Sequence, residues 1–475
     1  MGVFIRALLL SQIAIAVMAG PQPSAAQSSN GPAAEQASNP TEETAQDITQ
    51  DTTKAPPPAT PAQTTNQAQT PAQNPNPAQT QGTPPSIENT VEAAEPLPRR
   101  DLVHWNEYHG PYFTIRVGAG LLVDYAAFAQ DQESKEQIKL SPDGKLRDFR
   151  LIMGGRLPSL KLPTTWCAGV MYDAPTHTWF LRQTGIMFEV PKILSYFFIG
   201  RQKEGFSLNK VMVGYDGWTM ERSTMSDATI PLLADGIKWL GYSKRHGFLW
   251  NLGYFNDVAS KGQSFSSYSS QEVVRLAWLP VHSEEEGTLF HLGFNFRYGK
   301  PVDGQLRLRS RPEAFIAPYF LDTGKFAASS SQSEGYEVYY RRRSLLFGSE
   351  YYFQNVTSHS AGNPMFHGGD VVATWLITGE TRPYNTVGGY FKDVAPLRTV
   401  FNGGPGAWEL VFRCSYTDLN GGNVHGGTFG RFTPMVNWYL SENVRLEMAY
   451  GYGRLDRFNL TGNTQFFQTR IQLQF

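Results

Sequence analysis

Cysteine is nearly absent: the 475 residues contain Cys167 and Cys414 and no others. That excludes a disulfide-stapled fold and a cysteine-rich metal site, and two cysteines in separate strand-like runs read as unpaired small hydrophobes. The nine histidines form no ligand-spaced cluster, so no metal and no cofactor are expected. Long apolar runs are missing as well, since nothing approaches the roughly 18 residues of a membrane helix. Nor does one charge dominate: 41 basic and 42 acidic residues give a net of −1. Nucleic acid is therefore not an expected partner.

What is present starts with MGVFIRALLLSQIAIAVMAGPQPSAAQ, in which Arg6 precedes an apolar run from Ala7 to Val17 and then Ser24-Ala25-Ala26. This order is that of a secretory signal peptide, expected over 1–26. Residues 27–98 are mainly Pro, Gln, Thr, Ala and Asn, with no aromatic residue and no apolar periodicity. Such a stretch buries too little surface to offset its ordering entropy, so a disordered periplasmic linker is expected. Charge divides at the same boundary: with 2 basic and 8 acidic residues in 1–98, the remainder keeps 39 basic and 34 acidic, a net of +5.

From residue 99 the chain alternates apolar and polar side chains over segments of about ten residues. In GAWELVFRCSYTDL, Trp408, Leu410, Phe412, Cys414 and Tyr416 share one face, and Glu409, Arg413 and Ser415 the other. TLFHLGFNFRYG sets Phe290, Leu292, Phe294, Phe296 and Tyr298 against His291, Asn295 and Arg297. The final TQFFQTRIQLQF sets Phe467, Thr469, Ile471, Leu473 and Phe475 against Gln468, Arg470, Gln472 and Gln474. An exported chain of strands with one greasy and one wet face, ending on an aromatic strand, reads as an all-β, transmembrane antiparallel β-barrel over 99–475. Outer-membrane lipid would meet the greasy face. Tyr and Trp near strand ends would form the interfacial girdles.

Sixteen strands are expected. The stretch GQLRLRSRP (304–312), with Arg307, Arg309 and Arg311 at alternate positions, would make a seventeenth and break the even count of bacterial barrels. It is therefore assigned to a long connection, 299–334. With the N-terminus periplasmic, this connection and 203–235 are external, and 380–405 is periplasmic. An arginine row folded inward along a water path is one way to select anions.

Six stretches resemble the phosphate-selective porin O and P family: FFIGRQKEGFSL (197–208), TMERSTMSD (219–227), LRLRSRPEAFIAPYFLDTG (306–324), LITGETRPY (376–384), GAWELVFRCSYTDLNGG (406–422) and NWYLSENVRL (437–446). The resemblance implies a sixteen-stranded porin, usually a homotrimer, whose long loops fold inward and constrict the lumen. It also implies an arginine ladder leading anions to a central basic site. By position, Arg307, Arg309 and Arg311 match the ladder, and Lys203 and Arg222 match the constriction. Guanidinium forks suit phosphate oxygens, whereas an ammonium acts as a point charge. The N-terminal third departs from the family: LRDFRL (146–151) places Asp148 between Arg147 and Arg150, where the family tends to show an RRAR-like strand, and Lys161 and Lys192 are offered for its remaining central lysines.

The expected function is passive diffusion of anions, phosphate or polyphosphate among them, across a bacterial outer membrane. Two alternatives stand beside it. One is a general, weakly selective porin in which Asp148, Glu409 and Glu447 offset the cations. The other is a plugged barrel serving as a surface anchor or interaction protein. No stretch pairs a nucleophile with an oriented histidine, so no enzyme activity is expected. Glu284-Glu285-Glu286 and Arg341-Arg342-Arg343 are read as solvated turns, and His291 as a lumen-lining residue.

Overall fold

The alternating segments build a single antiparallel sheet that closes on itself. The computed structural model describes residues 106–173, 177–259 and 267–475; the expected signal peptide 1–26 and linker 27–98 lie outside the described residues. The wall strands in chain order are β1 (Thr114–Gln130), β2 (Asp143–Arg156), β3 (Thr164–Asp173), β4 (Thr178–Leu181 continued by Thr184–Val190) and β5 (Ser195–Gln202). Next come β6 (Ala234–Ser243), β7 (Phe248–Asn256), β8 (Tyr268–Ser283), β9 (Thr288–Pro301), β10 (Ser330–Arg342) and β11 (Leu345–Thr357). The last five are β12 (Met365–Leu376), β13 (Ala407–Gly421), β14 (Val424–Tyr439), β15 (Val444–Arg457) and β16 (Leu460–Gln474). Each pairs with its neighbours in sequence, and β1 pairs with β16 from Gly120↔Gln474 to Gln130↔Thr464, which closes the barrel at sixteen strands.

Burial is inverted relative to a water-soluble protein. Along β16, Gln468, Arg470, Gln472 and Gln474 are buried, while Phe467 and Ile471 are 48% and 49% exposed. On β13, Glu409, Arg413 and Ser415 point inward, and Phe412 and Tyr416 outward. Only lipid gives such an apolar exterior a favourable solvent. The cysteines obey the same alternation: Cys167 is buried and Cys414 exposed, both free.

Three long connections enter the lumen. Residues 203–233, after β5, carry helices α1 (Leu208–Val211) and α2 (Thr224–Thr229). Residues 302–329, after β9, fold as a ribbon in which Gln305–Leu306 pairs with Phe326–Ala327 and Arg309–Ser310 with Leu321–Asp322. Both leave from the same barrel end because both follow odd strands. Residues 377–406 follow β12, enter from the opposite end and form a small hairpin, Tyr384–Asn385 against Tyr390–Phe391.

Inward-pointing polar residues of the wall hold these loops by taking up backbone groups that a buried loop would otherwise leave unpaired. Glu350 accepts from Ser207 Oγ at 2.6 Å and from Asn209 N at 2.7 Å. Arg297 donates to Glu204 and to Thr229 O, each at 2.6 Å. Asn437, Arg445 and Gln472 bond the carbonyls of Trp218, Gly217 and Tyr215 at 2.9, 2.7 and 3.0 Å. Apolar contacts finish the packing: Leu306, Leu308, Phe320 and Leu321 of the ribbon meet Phe366, Phe429 and Phe466 of the wall.

One turn differs from expectation. Arg341 is fully buried rather than solvated, donating to Arg382 O at 2.6 Å and to Glu284 at 3.1 Å. Arg341 lies inside β10 (Ser330–Arg342) rather than in the turn, so its side chain falls on the lumen face and fixes the opposite-end loop.

Candidate functional site

Inside the barrel, 203–233 and 302–329 border a cavity of about 700 Å³. Ribbon alternation supplies its first cations. Leu306, Leu308 and Ser310 turn into the wall and are buried, so Arg307, Arg309 and Arg311 share the other face and line the cavity together. Arg309 lies over the Tyr319 ring at 4.2 Å, and Arg311 lies over the same ring at 4.7 Å and over Phe315 at 5.6 Å. Stacking restrains guanidinium planes while leaving N–H edges available. Arg307 differs, because its guanidinium is paired with Asp322 across the ribbon.

Arg222 also lines this cavity, from the loop 203–233. Its guanidinium braces the turn of α1, donating to Asn209 O at 2.9 Å and to Met212 O at 3.0 Å. Lys203 is placed differently. It is buried behind α1, its Nζ donates to Met212 O at 2.8 Å, and it borders a separate niche of about 30 Å³. Burial, and then the Arg222 charge, pull its ammonium well below the ordinary lysine pKa. Four of the five residues singled out from sequence thus meet in one space, and the fifth stands on the far side of α1.

Cations beyond those five enlarge the site. Arg147, Arg150 and Arg182 reach it from the wall, Lys210 from α1 and Lys325 from the ribbon. Burial and then Arg222 lower the Lys210 pKa to about 8. Arg182 carries no periodic signal because it sits with Gln183 at the break in β4, where two consecutive residues are both buried. Lys161 and Lys192, by contrast, are exposed in turns at the other barrel end and are no part of the site. The turns 157–163 and 191–194 are too short to fold inward.

Carboxylates temper this charge. Asp148 pairs with Arg150 inside the lumen. Glu221 accepts from Arg147 at 2.7 and 3.0 Å and from Arg470 at 2.6 Å. Although burial raises the pKa of a carboxyl, the two guanidiniums overcome it and hold Glu221 well below the ordinary range. Glu409 binds Arg382 of the loop 377–406, Glu447 binds Arg445 within the wall, and both carboxylates lie outside the cavity lining. His291 bonds Glu337 at 2.7 Å and Tyr384 at 2.8 Å, a buried position between wall and loop.

The family described as "Phosphate-selective porin O and P" matches residues 117–475. An uncharacterized protein of Caulobacter vibrioides is 27% identical over 168 residues, and the match spans about a third of each protein, 34% of this chain and 34% of that one. Among solved structures, OmpF of Salmonella typhi in complex with daunomycin aligns with a TM-score of 0.50 at 10% identity, covering 78% of this chain and 100% of that one. The anion-selective porin from Comamonas acidovorans aligns with a TM-score of 0.47 at 10% identity, covering 76% and 100%. The DcaP channel of Acinetobacter baumannii gives 0.48 at 8% identity, covering 78% and 99%. At these identities the likeness is one of fold.

Proposed function

Because the chain belongs to the phosphate-selective porin O and P family, and is thus a channel of the bacterial outer membrane, we propose that it passes small anions by passive diffusion. The observation that carries this reading is the convergence of Arg222, Arg307, Arg309 and Arg311 with Lys210 and Lys325 on one cavity of about 700 Å³. Spaced cations attract an anion, and no one of them forms a trap too deep for release. Phosphate and polyphosphate are the proposed preferred ions, because guanidinium edges match their oxygens in pairs. Export by the segment 1–26 and tethering by 27–98 are part of the same proposal.

A homotrimer is proposed as the working assembly. The wall from β3 to β7 is low, with continuous pieces of 10, 4, 7, 8, 10 and 9 residues, against 12 to 17 in every other strand. A membrane strand needs about 9–11 residues to span, so this side has nothing to spare and suits shielding by a second copy.

The test is the reversal potential of the purified protein in a planar bilayer under a potassium chloride gradient, followed by titration of the current with phosphate. A chloride-directed potential and block by low phosphate support the proposal. A potential near zero would favour the general-pore reading, for which Asp148, Glu221, Asp227 and Glu313 on the same cavity speak. Absence of conductance would favour the plugged barrel.

A further inference from the structure

The niche behind α1 is distinct from the large cavity. It is lined by Lys203 and Val211 of the loop 203–233, by Gln183, Lys238 and Asn251 of the wall, and by Tyr390 of the opposite-end loop. The short segment around α1 stands between it and the large cavity, and its Met212 carbonyl takes a hydrogen bond from Lys203 on one side and from Arg222 on the other.

Three features mark it as built for an anion. Two lysines reach it and no carboxylate lines it, Asp216 acting on Lys203 from outside the lining. Lys238 donates to Lys203 O at 3.3 Å, a long bond that leaves the ammonium other donors. The amides of Gln183 and Asn251 are buried, and Gln183 Oε1 and Asn251 Oδ1 have no hydrogen-bond partner. These unmet atoms are acceptors, so it is with the amide planes flipped, N–H groups facing the niche, that the pair suits an anion.

Size then restricts the class. About 30 Å³ is roughly what one water molecule occupies in the liquid. A halide is of that size, and a tetrahedral oxyanion is too large.

We propose that this niche is a second anion site, in series with the large cavity, which holds one small monovalent anion such as chloride on Lys238, Gln183 and Asn251 and does not admit phosphate. The inference rests on the anion reading above and adds a division of labour to it. Phosphate is retained among the arginines of the large cavity, and chloride alone occupies the niche behind α1.

The experiment compares wild type with Lys238→Gln in planar bilayers, reading single-channel conductance against chloride concentration and, separately, block of that current by inorganic phosphate. Lys238→Gln is expected to raise the half-saturating chloride concentration roughly tenfold, as removal of one nearby charge from a water-poor site implies. Phosphate block is expected to be unchanged, and Lys238→Arg to restore saturation. Unaltered chloride saturation in Lys238→Gln overturns the niche, as does a parallel loss of phosphate block, which would merge the two sites. Loss of anion preference in wild type would instead overturn the underlying reading. Should Lys238→Gln fail to fold, Asn251→Leu carries the same test with the same opposing outcomes.

Discussion

Lys203 and Arg222 donate to the same carbonyl oxygen, Met212 O, at 2.8 and 3.0 Å from opposite sides of α1. Two cations brought from 19 residues apart therefore brace one turn of backbone, and only Arg222 has a face on the large cavity.

Arg222→Ala is expected to loosen this turn. It removes the donor to Asn209 O and one of the two donors to Met212 O, which Lys203 still holds, and a buried acceptor left unmet costs about 1–3 kcal/mol. Single-channel records should show increased open-channel noise together with weaker anion preference. A quiet channel with wild-type selectivity would contradict the bracing role.

Arg309→Ala tests the ladder. Among the described residues Arg309 lies over the Tyr319 ring and has no ion pair. Its loss should lower conductance and phosphate affinity at low salt and matter little near 1 M, where the screening length falls to about 3 Å. Equal effects at both salt concentrations would point to a change of shape.

Glu221→Gln should act in the opposite direction. The carboxylate is shared by Arg147 and Arg470, so its neutralisation frees positive charge toward the cavity and should strengthen phosphate block severalfold. Stability should fall by about 1–3 kcal/mol because Arg147 loses its carboxylate partner while Arg470 keeps Asp124. The thermal midpoint of the folded band on a gel reads the second effect, and the bilayer reads the first.

A pH dependence follows from Lys210. Its folded pKa lies at about 8, below the ordinary lysine value, because of burial and then Arg222. The group is charged below that pH and neutral above it, so cavity charge declines as pH rises from 7 to 9. The chloride-to-potassium permeability ratio should decrease over the same interval, and Lys210→Met should show a flat, lower ratio throughout.

Arg382→Ala is expected to release the loop 377–406. Arg382 binds both oxygens of Glu409 at 2.9 Å and the carbonyls of Asp216 and Lys392 at 2.8 and 2.9 Å. Leaving Glu409 buried and unpaired should cost about 3–5 kcal/mol. A thermal midpoint equal to wild type would show that the loop holds by other contacts.

The barrel was legible because period-two alternation is local: Phe467 and Ile471 on one face and Gln468 and Arg470 on the other need only an extended backbone to part. The even strand count then kept Arg307, Arg309 and Arg311 out of the wall, and the same alternation within their ribbon put them on one face. Lys203, Lys210, Arg147 and Arg182 were not legible in this way. Whether a lysine after β5 meets the cavity or the niche depends on which side of α1 it passes, and that is set by Glu350, Arg297 and Met212 O, residues distant in sequence. Sequence by itself determined the membrane barrel, its two faces and the arginine row, since these follow from side-chain direction along a strand. Tertiary structure alone decided which cations face water together, which are spent on loop carbonyls or carboxylates, and that α1 separates a small niche from the large cavity, because those outcomes depend on long-range hydrogen bonds in a closed lumen.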